Sequence, residues 1–520
     1  MTSGRAGLRL FGCFFALYAL TSSGNAFRVP DEFEVYFQAA HLADAGTLSV
    51  PQTLAITQEG QPIFFGQFGI DGQPYAPYGP GVAFLIEPFH LIGRAVARLA
   101  GVPRAPLPAG IAWELLVGGI TTYASAFAAA LAVAGFYRGS QALGASRKRG
   151  VLLAMILGGA TLLWPYGLTL YSEAWLAAAF SWAAALLLEA RSGGRHARAR
   201  VTAAATLLAI AILTKPTAVV AAPGFVLAAL FEPRIPVRMR WNVALVLGAA
   251  VAAMMAVHIG WNLQRFGRAL DFGYNLAAMV PRLPARSFVL DDVPRGLFVQ
   301  LLTPGKSLFI WAPAALLGLL ALPASWARER GLAAGLTAAI VGPLLFYSAF
   351  LFPVGGYAHG PRHLVPLIPL LLLPLCIPGV RWSGRALAVC AAIGFLMAAL
   401  GASVSFLEDQ SAPGTATRIA TGPYYERVDP PPGRPWHRYR IDYIPFKFAL
   451  TSGHWWSADR PVGNGPDFFP LHLARARAAI PGGQTIPVWM PWAVALPWAL
   501  LLAWSAASLR ACLREPDRIS

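Results

Sequence analysis

Leu10 to Ala26 (LFGCFFALYALTSSGNA) runs, two residues later, into Val29-Pro30-Asp31-Glu32-Phe33-Glu34, and this junction decides how the chain is read. An apolar stretch with Arg5 and Arg9 at its head ends in a patch of acid. From Val29 to Gly79 the chain carries no Lys or Arg, but it does carry Asp31, Glu32, Glu34, Asp44, Glu59 and Asp71. Carboxylates at a membrane surface repel anionic headgroups, so several held together there argue for a task.

Composition places the rest of the chain. Hydrophobic residues make up 56% and charged residues 12%, with a mean hydropathy of +0.54, values foreign to a soluble globular protein. Apolar runs that approach bilayer length recur at 8–26, 111–136, 151–170, 173–190, 201–214, 217–231, 241–261, 305–325, 332–352, 364–379, 386–406 and 486–509. The expected fold is an all-α polytopic membrane protein with about twelve transmembrane helices. Residues 1–406 form the transmembrane module, with a first outward loop at 27–110. Residues 407–485, polar and rich in Pro and Trp, form an extracytoplasmic segment, and 486–520 carry the last helix and an inner tail.

The cations orient the bundle. Arg138, Arg147, Lys148 and Arg149 share one short connection, Arg191, Arg195, Arg198 and Arg200 a second, and Arg234, Arg238 and Arg240 a third. Arg328, Arg330, Arg381, Arg385, Arg510, Arg514 and Arg518 follow the same alternation, so placing them all in the cytoplasm satisfies the positive-inside rule. This requires 81–99, which contains Glu87, Pro88, His90, Arg94 and Arg98, to lie along the membrane as an outward juxtamembrane helix. The runs 201–214 and 217–231 are short for a bilayer, so Lys215-Pro216 between them is expected below the outer surface, unless the lysine merely snorkels from a helix end. The net charge of +17 also includes outward cations at 262–304, which suit an anionic lipid ligand or headgroup anchorage.

Several function classes find no support. The sequence contains no zinc-type Cys/His spacing, no GxxxxGK[ST] and no dinucleotide fingerprint, and nothing in it points to nucleic acid. Cys13, Cys376 and Cys390 fall in expected helices and Cys512 in the inner tail, so no outward disulfide is expected. Gly24-Asn25-Ala26 would suit signal-peptide cleavage, but cleavage would strand the acidic patch at a free terminus, and an uncleaved anchor is the preferred reading.

Pro30 suits a first helical position, and Asp31 and Glu32 then fall in the first turn, where the helix dipole favours acids. The same pattern would serve a well-made helix start and nothing more. Asp71 to Gly81 (DGQPYAPYGPG) is a turn cluster in which Tyr75 and Tyr78 suit either a site or an interfacial anchor. Tyr171-Ser172-Glu173-Ala174 opens a helix with an acid. Gly355 to His363 (GGYAHGPRH) gathers His359, Arg362 and His363 in one outer loop.

In their order along the chain these segments resemble the GT-C superfamily of membrane glycosyltransferases. The resemblance is to the phospholipid-carrier-dependent branch, related to protein O-mannosyltransferases and the lipid A aminoarabinose transferase. Asp31-Glu32 resembles the superfamily's acidic signature, Asp71 to Gly81 its Gly/Tyr/Pro segment, and Tyr171 to Ala174 its acidic helix start. Lys215-Pro216-Thr217, Trp261 to Gly267 with Asp271 to Tyr274, Thr303 to Phe309 and Gly355 to Pro366 resemble further segments, with Thr303 and Ser307 as departures. The resemblance fades beyond about residue 380 and leaves the acceptor open.

The resemblance implies an inverting transfer of a sugar from a polyprenyl phosphate to an unknown glycan, lipid or protein acceptor. The site would lie on the extracytoplasmic face of the plasma (inner) membrane. A phosphate leaving group needs charge neutralisation, whereas the acceptor hydroxyl needs a base on the opposite face of the anomeric carbon. Asp31 fits the base, with Glu32 catalytic beside it. Lys215, Arg362, Lys306 and Arg265 fit phosphate binding, Arg362 with a two-oxygen grip. Glu34, Tyr75, Tyr78, Glu173, His359 and His363 fit substrate contacts. No cofactor is fixed by a motif, although Glu32 or Glu34 could help hold a divalent cation. The competing class is a polytopic transporter or flippase for a lipid-linked or anionic substrate. Such proteins often show paired broken helices, and the sequence displays one pair of short helices with no counterpart in its second half.

The charge alternation generates a testable topology: 138–149 and 191–200 inside, 27–80 and 407–485 outside. A single cysteine at position 195 should resist a membrane-impermeant maleimide in intact cells and react after permeabilisation. Labelling without permeabilisation would invert the bundle.

Overall fold

The structure is a computed structural model that describes residues 2–24, 30–51, 57–58, 61–62, 66–106, 108–273, 288–303, 305–350, 353–355, 358–403, 468–479 and 482–514. The main helices are α1 (Thr2–Thr21), α2 (Pro30–Ala45), α3 (Pro80–Leu99), α4 (Ile111–Ala142), α5 (Arg147–Gly159), α6 (Leu163–Tyr166), α7 (Glu173–Ala190), α8 (Ala197–Thr214), α9 (Ala222–Leu230) and α10 (Val237–Phe266). They continue with α11 (Val293–Leu302), α12 (Leu308–Trp311), α13 (Pro313–Arg328), α14 (Arg330–Ser348), α15 (Ile368–Leu372), α16 (Gly384–Ser403), α17 (Phe469–Ala479) and α18 (Met490–Arg514). Among the described residues, strands occur only as two-residue pairs in the first loop, Thr57–Gln58 with Gln61–Pro62 and Gln67–Phe68 with Pro74–Tyr75.

Among the described residues, seven helices are long and apolar enough to cross a membrane: α4, α7, α8, α10, α14, α16 and α18. The other five expected spans also fold as helix but are interrupted or weakly apolar, each for a local reason. Arg5 and Arg9 dilute α1. The expected span 151–170 breaks after α5, where the Thr161 hydroxyl donates to the Leu157 carbonyl (2.6 Å) and accepts from the Leu163 amide (3.2 Å). The span 305–325 is cut at Ala312 (φ −143°), because a residue before proline is pushed towards extended backbone. Pro216 starts a 3₁₀ turn, Pro216–Val220, ahead of α9. Arg362–Leu367 is likewise 3₁₀ and is followed by the single-turn α15 and by Leu373–Cys376, since Pro366, Pro369 and Pro374 deny it a continuous hydrogen-bond ladder.

This last segment corrects one expectation. Arg362–Cys376 is a short, interrupted apolar helix in the second half of the chain, like Pro216–Leu230 in the first. Each begins at a cation or directly after one.

The core centres on α4, whose buried face includes Ala124, Ala126, Ala128, Ala129, Ala130, Ala132 and Val133. Small residues let neighbouring backbones approach closely, and α7, α1 and α3 all pack along this helix. On α3, Val82, Ala83, Ile86, His90 and Ala97 are buried while Phe84, Leu91, Ile92 and Leu99 are exposed. The last described segments dock on the same core through Phe469, which is fully buried and donates its amide to the Ser22 carbonyl at 2.7 Å. The greater part of the expected 407–485 segment, residues 407–467, lies outside the described residues.

Ion pairs gather the basic connections at one end of the bundle. Arg138 and Arg200 both pair with Glu189, at 2.6 and 3.2 Å. Arg191 and Arg234 both pair with Glu329, at 2.5 and 2.7 Å. Arg149 donates to the Leu375 and Val380 carbonyls at 2.7 and 2.8 Å. Because α7 and α8 run antiparallel through 18 residues each, the start of α7 and the end of α8 lie about 26 Å away, at the opposite end.

Gly79-Pro80-Gly81 meets that opposite end. A Cβ at Gly79 would lie 2.5 Å from the Leu213 carbonyl oxygen, and one at Gly81 2.5 Å from the Thr214 amide nitrogen, both backbone atoms that cannot swing aside. The two glycines therefore seat α3 and the tyrosine loop against the end of α8. Gly81→Ala should lower the thermal midpoint of the purified protein, by about 1–3 kcal/mol of overpacking. An unchanged midpoint would show that α3 shifts without cost.

Candidate functional site

Four charged side chains from distant parts of the chain meet where α2 and α7 begin and α8 ends. Asp31 lies in the first turn of α2 and Glu173 in that of α7, positions that the helix dipole favours for acids. Lys215 follows the last turn of α8, where a cation is favoured, and Arg362 heads the second interrupted segment. The Arg362 Nη1 donates to Asp31 Oδ1 at 2.8 Å and its Nε to Glu173 Oε1 at 3.0 Å. Lys215 Nζ donates to the same Glu173 Oε1 at 2.8 Å. The result is an alternating chain, Asp31–Arg362–Glu173–Lys215, that is neutral in sum.

Burial raises the stakes of that chain. Glu173 is fully buried, and the side chains of Arg362, Asp31 and Lys215 are 10%, 19% and 19% exposed. Charges taken this far from water are tolerated only when each is paired, and removing one partner typically costs about 3–5 kcal/mol. The surroundings add aromatic support. The Arg362 guanidinium lies 3.7 Å from the Tyr171 ring centroid, and Arg362 packs on Gly355, whose φ of +85° lets the loop close over it. His363 stacks on Tyr347 (centroids 4.1 Å apart, planes at 10°) and brings Nδ1 to 3.4 Å from Lys215 Nζ. The Tyr347 hydroxyl lies 2.7 Å from Thr217 Oγ1, which ties α14 to the turn after Lys215.

The remaining expected residues divide. Glu32 is fully buried one residue from Asp31, but it faces the loop before α7, where Leu170 N donates to Oε1 at 3.4 Å. Glu34, on the next part of α2, is also fully buried. Burial first, and the nearby Asp31 charge second, push its carboxyl well above the usual carboxylate range. Gln38 sits one turn on, and all four side-chain polar atoms of Glu34 and Gln38 lack a hydrogen-bond partner among the described residues. Such atoms are costly unless a ligand or water satisfies them.

Lys306 is buried and donates to the Ala358 carbonyl, so it braces the loop that carries Arg362. His359, in the same loop, lies against Trp311 and accepts the Tyr166 hydroxyl at its carbonyl (2.9 Å). Arg265 stands apart from the four-charge chain. It donates to the Ala76 carbonyl and to Asn262 Oδ1, both at 3.1 Å, and lies against the Trp261, Phe266 and Tyr75 rings. Tyr75 in turn donates to Asp71 Oδ2 at 2.7 Å, a bond that helps to lower the Asp71 pKa and, after desolvation, helps to lift that of Tyr75 to about 12. Arg265 thus fixes the tyrosine loop.

Among the described residues no group of three or more His, Cys, Asp or Glu side chains is placed to hold a metal ion. Asp31 and Glu173 are engaged by cations, Glu32 accepts the Leu170 amide, and the Glu34 carboxyl has no partner among the described residues. Tyr171, Tyr347 and Thr217 escaped the sequence analysis as site residues. Tyr171 adjoins Ser172-Glu173 and was within reach of it, whereas Tyr347 ends an ordinary apolar helix and gives no local signal.

The Glu34 environment predicts a pH dependence. Above the ordinary carboxylate range the unfolded chain releases the Glu34 proton while the folded chain keeps it, so stability falls as pH rises, until the elevated folded pKa is passed. Glu34→Gln, which keeps the shape and removes the proton, should flatten thermal midpoint against pH relative to the parent protein. Parallel curves would mean that Glu34 folds in its ionised form.

No protein-family profile matches this sequence, and no curated protein matches it. Among solved structures, it is similar to the oligosaccharyltransferase of Archaeoglobus fulgidus determined with zinc and sulfate, at 13% identity and a TM-score of 0.45. That likeness covers 84% of this chain and 61% of the other. A second structure, the archaeal oligosaccharyltransferase AglB from the same organism with an inhibitory peptide and a dolichol-phosphate, is similar at 12% identity and a TM-score of 0.40. It is covered over 63% of its length, against 84% of this chain, so the chain spans about three-fifths of either structure. Likeness at these scores assigns no activity.

Proposed function

We propose that the chain is an inverting glycosyltransferase of GT-C type that moves a sugar from a polyprenyl-phosphate donor to an acceptor on the extracytoplasmic side of the inner membrane. The observation that carries this reading is the buried chain Asp31–Arg362–Glu173–Lys215, at the end of the bundle away from the basic connections. The ordered run of sequence segments described above supports it.

In this reading Asp31 takes the proton of the acceptor hydroxyl as that oxygen attacks the anomeric carbon. The bond from that carbon to the phosphate oxygen breaks, and the polyprenyl phosphate leaves with the added charge. Arg362 orients Asp31. With Nη1 and Nε engaged by Asp31 and Glu173, its two-oxygen grip on a phosphate is not free in this arrangement, and Nη2 remains. Lys215, one carboxylate further from the base, keeps a donor for the phosphate as charge builds on it. Glu173 positions both cations. Glu32 anchors α2 to the loop before α7, and the unpartnered polar atoms of Glu34 and Gln38 offer hydrogen-bonding groups to a sugar or acceptor hydroxyl. Lys306 and Arg265 hold the loops that carry Arg362 and Tyr75.

One observation favours the competing class. The two interrupted apolar segments, Pro216–Leu230 and Arg362–Cys376, meet at one charge cluster, a pattern found in transporters. A transporter or flippase would move a lipid-linked substrate without cleaving its sugar–phosphate bond.

Asp31→Asn separates the two. Purified and reconstituted with a polyprenyl-phosphate sugar, the parent protein should release polyprenyl phosphate, and Asp31→Asn should slow that release about 10²–10⁴-fold while keeping a monodisperse, cooperatively melting fold. Near-normal release by the variant would remove Asp31 as base. Movement of intact donor across the bilayer, with no release by the parent, would establish the flippase reading.

A further inference from the structure

At the end of the bundle that gathers the basic connections, a cavity of about 600 Å³ opens between α7, α8, α9, α10 and α14. Its walls are apolar, with Leu188, Val201, Phe225, Met239 and Leu336 among them. Its volume falls within the range of ligand-binding pockets. It lies far from Asp31 and Glu173, because it is lined by the last turns of α7 and the first turns of α8.

The rim carries the second observation. Three arginines line it, and one of them is spoken for: Arg191 shares Glu329 and the cavity-lining Glu232 with Arg234. Arg198 and Arg238 line the cavity, are exposed, and have no acidic partner among the described residues. The adjoining face of α10 exposes Val237 (62%), Trp241 (57%), Leu245 (66%) and Val246 (42%), an apolar flank that includes a tryptophan, a residue type enriched at membrane interfaces. Two unpaired cations at the mouth of an apolar cavity, opening beside an apolar helix face, describe an amphipathic ligand with an anionic head. Basic pockets between membrane helices are the usual seats of such headgroups.

We infer that this cavity is a binding site for an anionic glycerophospholipid, its phosphate between Arg198 and Arg238 and an acyl chain in the cavity. The site is distinct from the donor site and does not depend on the transferase reading. Bound lipid would fill the gap between α8, α9 and α10 and neutralise two like charges that no acid offsets among the described residues. The short segment Pro216–Leu230 would thereby gain a packing partner at the end away from Lys215.

The test uses the full-length protein, delipidated in detergent, with phosphatidylglycerol and phosphatidylcholine of matched chains added in turn and retention read by native mass spectrometry. Each arginine near a surface contributes about fivefold, so phosphatidylglycerol should be held about thirtyfold tighter than phosphatidylcholine. The double variant Arg198→Gln/Arg238→Gln, confined to exposed side chains, should lose that preference. Thr202→Trp, which fills the cavity from its exposed side, should lose retention of both lipids. Equal retention of the two lipids by the parent protein, or a preference unchanged in the double variant, would overturn the assignment. Displacement of phosphatidylglycerol by equimolar polyprenyl phosphate would also overturn it and give the cavity to the carrier lipid instead.

Discussion

One carboxylate oxygen organises the polar end of this protein. Glu173 Oε1 receives Lys215 at 2.8 Å and Arg362 at 3.0 Å, and Arg362 passes the connection on to Asp31. A fully buried carboxylate with one cation would be marginal, since desolvation of both ions offsets most of their attraction. With two cations and a second carboxylate the sequence of charges alternates, and each ion sees opposite charge on its near side. The arrangement joins α2, the start of α7, the break after α8 and the head of the second interrupted segment. These elements are otherwise tied to one another mainly through apolar packing, which is non-directional and sets no unique register.

The two broken apolar segments follow from the same requirement. Lys215 lies immediately before one break and Arg362 heads the other. Pro216 and the prolines at 366, 369 and 374 stop the ladder where the cations are needed. The freed backbone groups would be costly in lipid, and 3₁₀ turns recover part of them within a protein-lined setting. Shortness is therefore a condition of the site and does not mark a weakly formed span.

Much of this was legible in the sequence and part was not, for physical reasons. Asp31, Glu173 and Lys215 announce themselves because each sits beside a proline or a helix boundary, where local composition changes sharply. Gly79-Pro80-Gly81 and Gly355 were visible as turn glycines, although only the structure shows that their missing Cβ atoms admit Leu213, Thr214 and Arg362. Partner choice was not legible. Arg265 and Arg362 look alike as outward cations, yet one enters an aromatic box that fixes a loop and the other joins two acids. Glu32 and Glu34 are two residues apart, and only α2's packing decides that one meets the Leu170 amide while the other is left unsatisfied, its carboxyl pushed well above the usual carboxylate range by burial. The second interrupted segment was read as an ordinary span because apolar content conceals how often proline cuts the ladder.

The placement of the charges at helix ends explains why such a costly cluster is tolerable. Asp31 and Glu173 occupy first turns, where partial positive charge from unpaired amides favours them, and Lys215 follows a last turn, where unpaired carbonyls favour it. Three of the four charges are thus stabilised by their own helices before any partner arrives. Arg362 is the exception, since a cation at the head of a helical segment opposes the local amides. It meets two carboxylates and the face of Tyr171, so its tertiary contacts offset what its own segment withholds. Its hold is therefore conditional on Asp31 and Glu173 remaining charged and in place. A group held only by its partners is the one free to change them when a phosphate arrives, and in the proposed reaction that makes Arg362 the joint between the base and the leaving group.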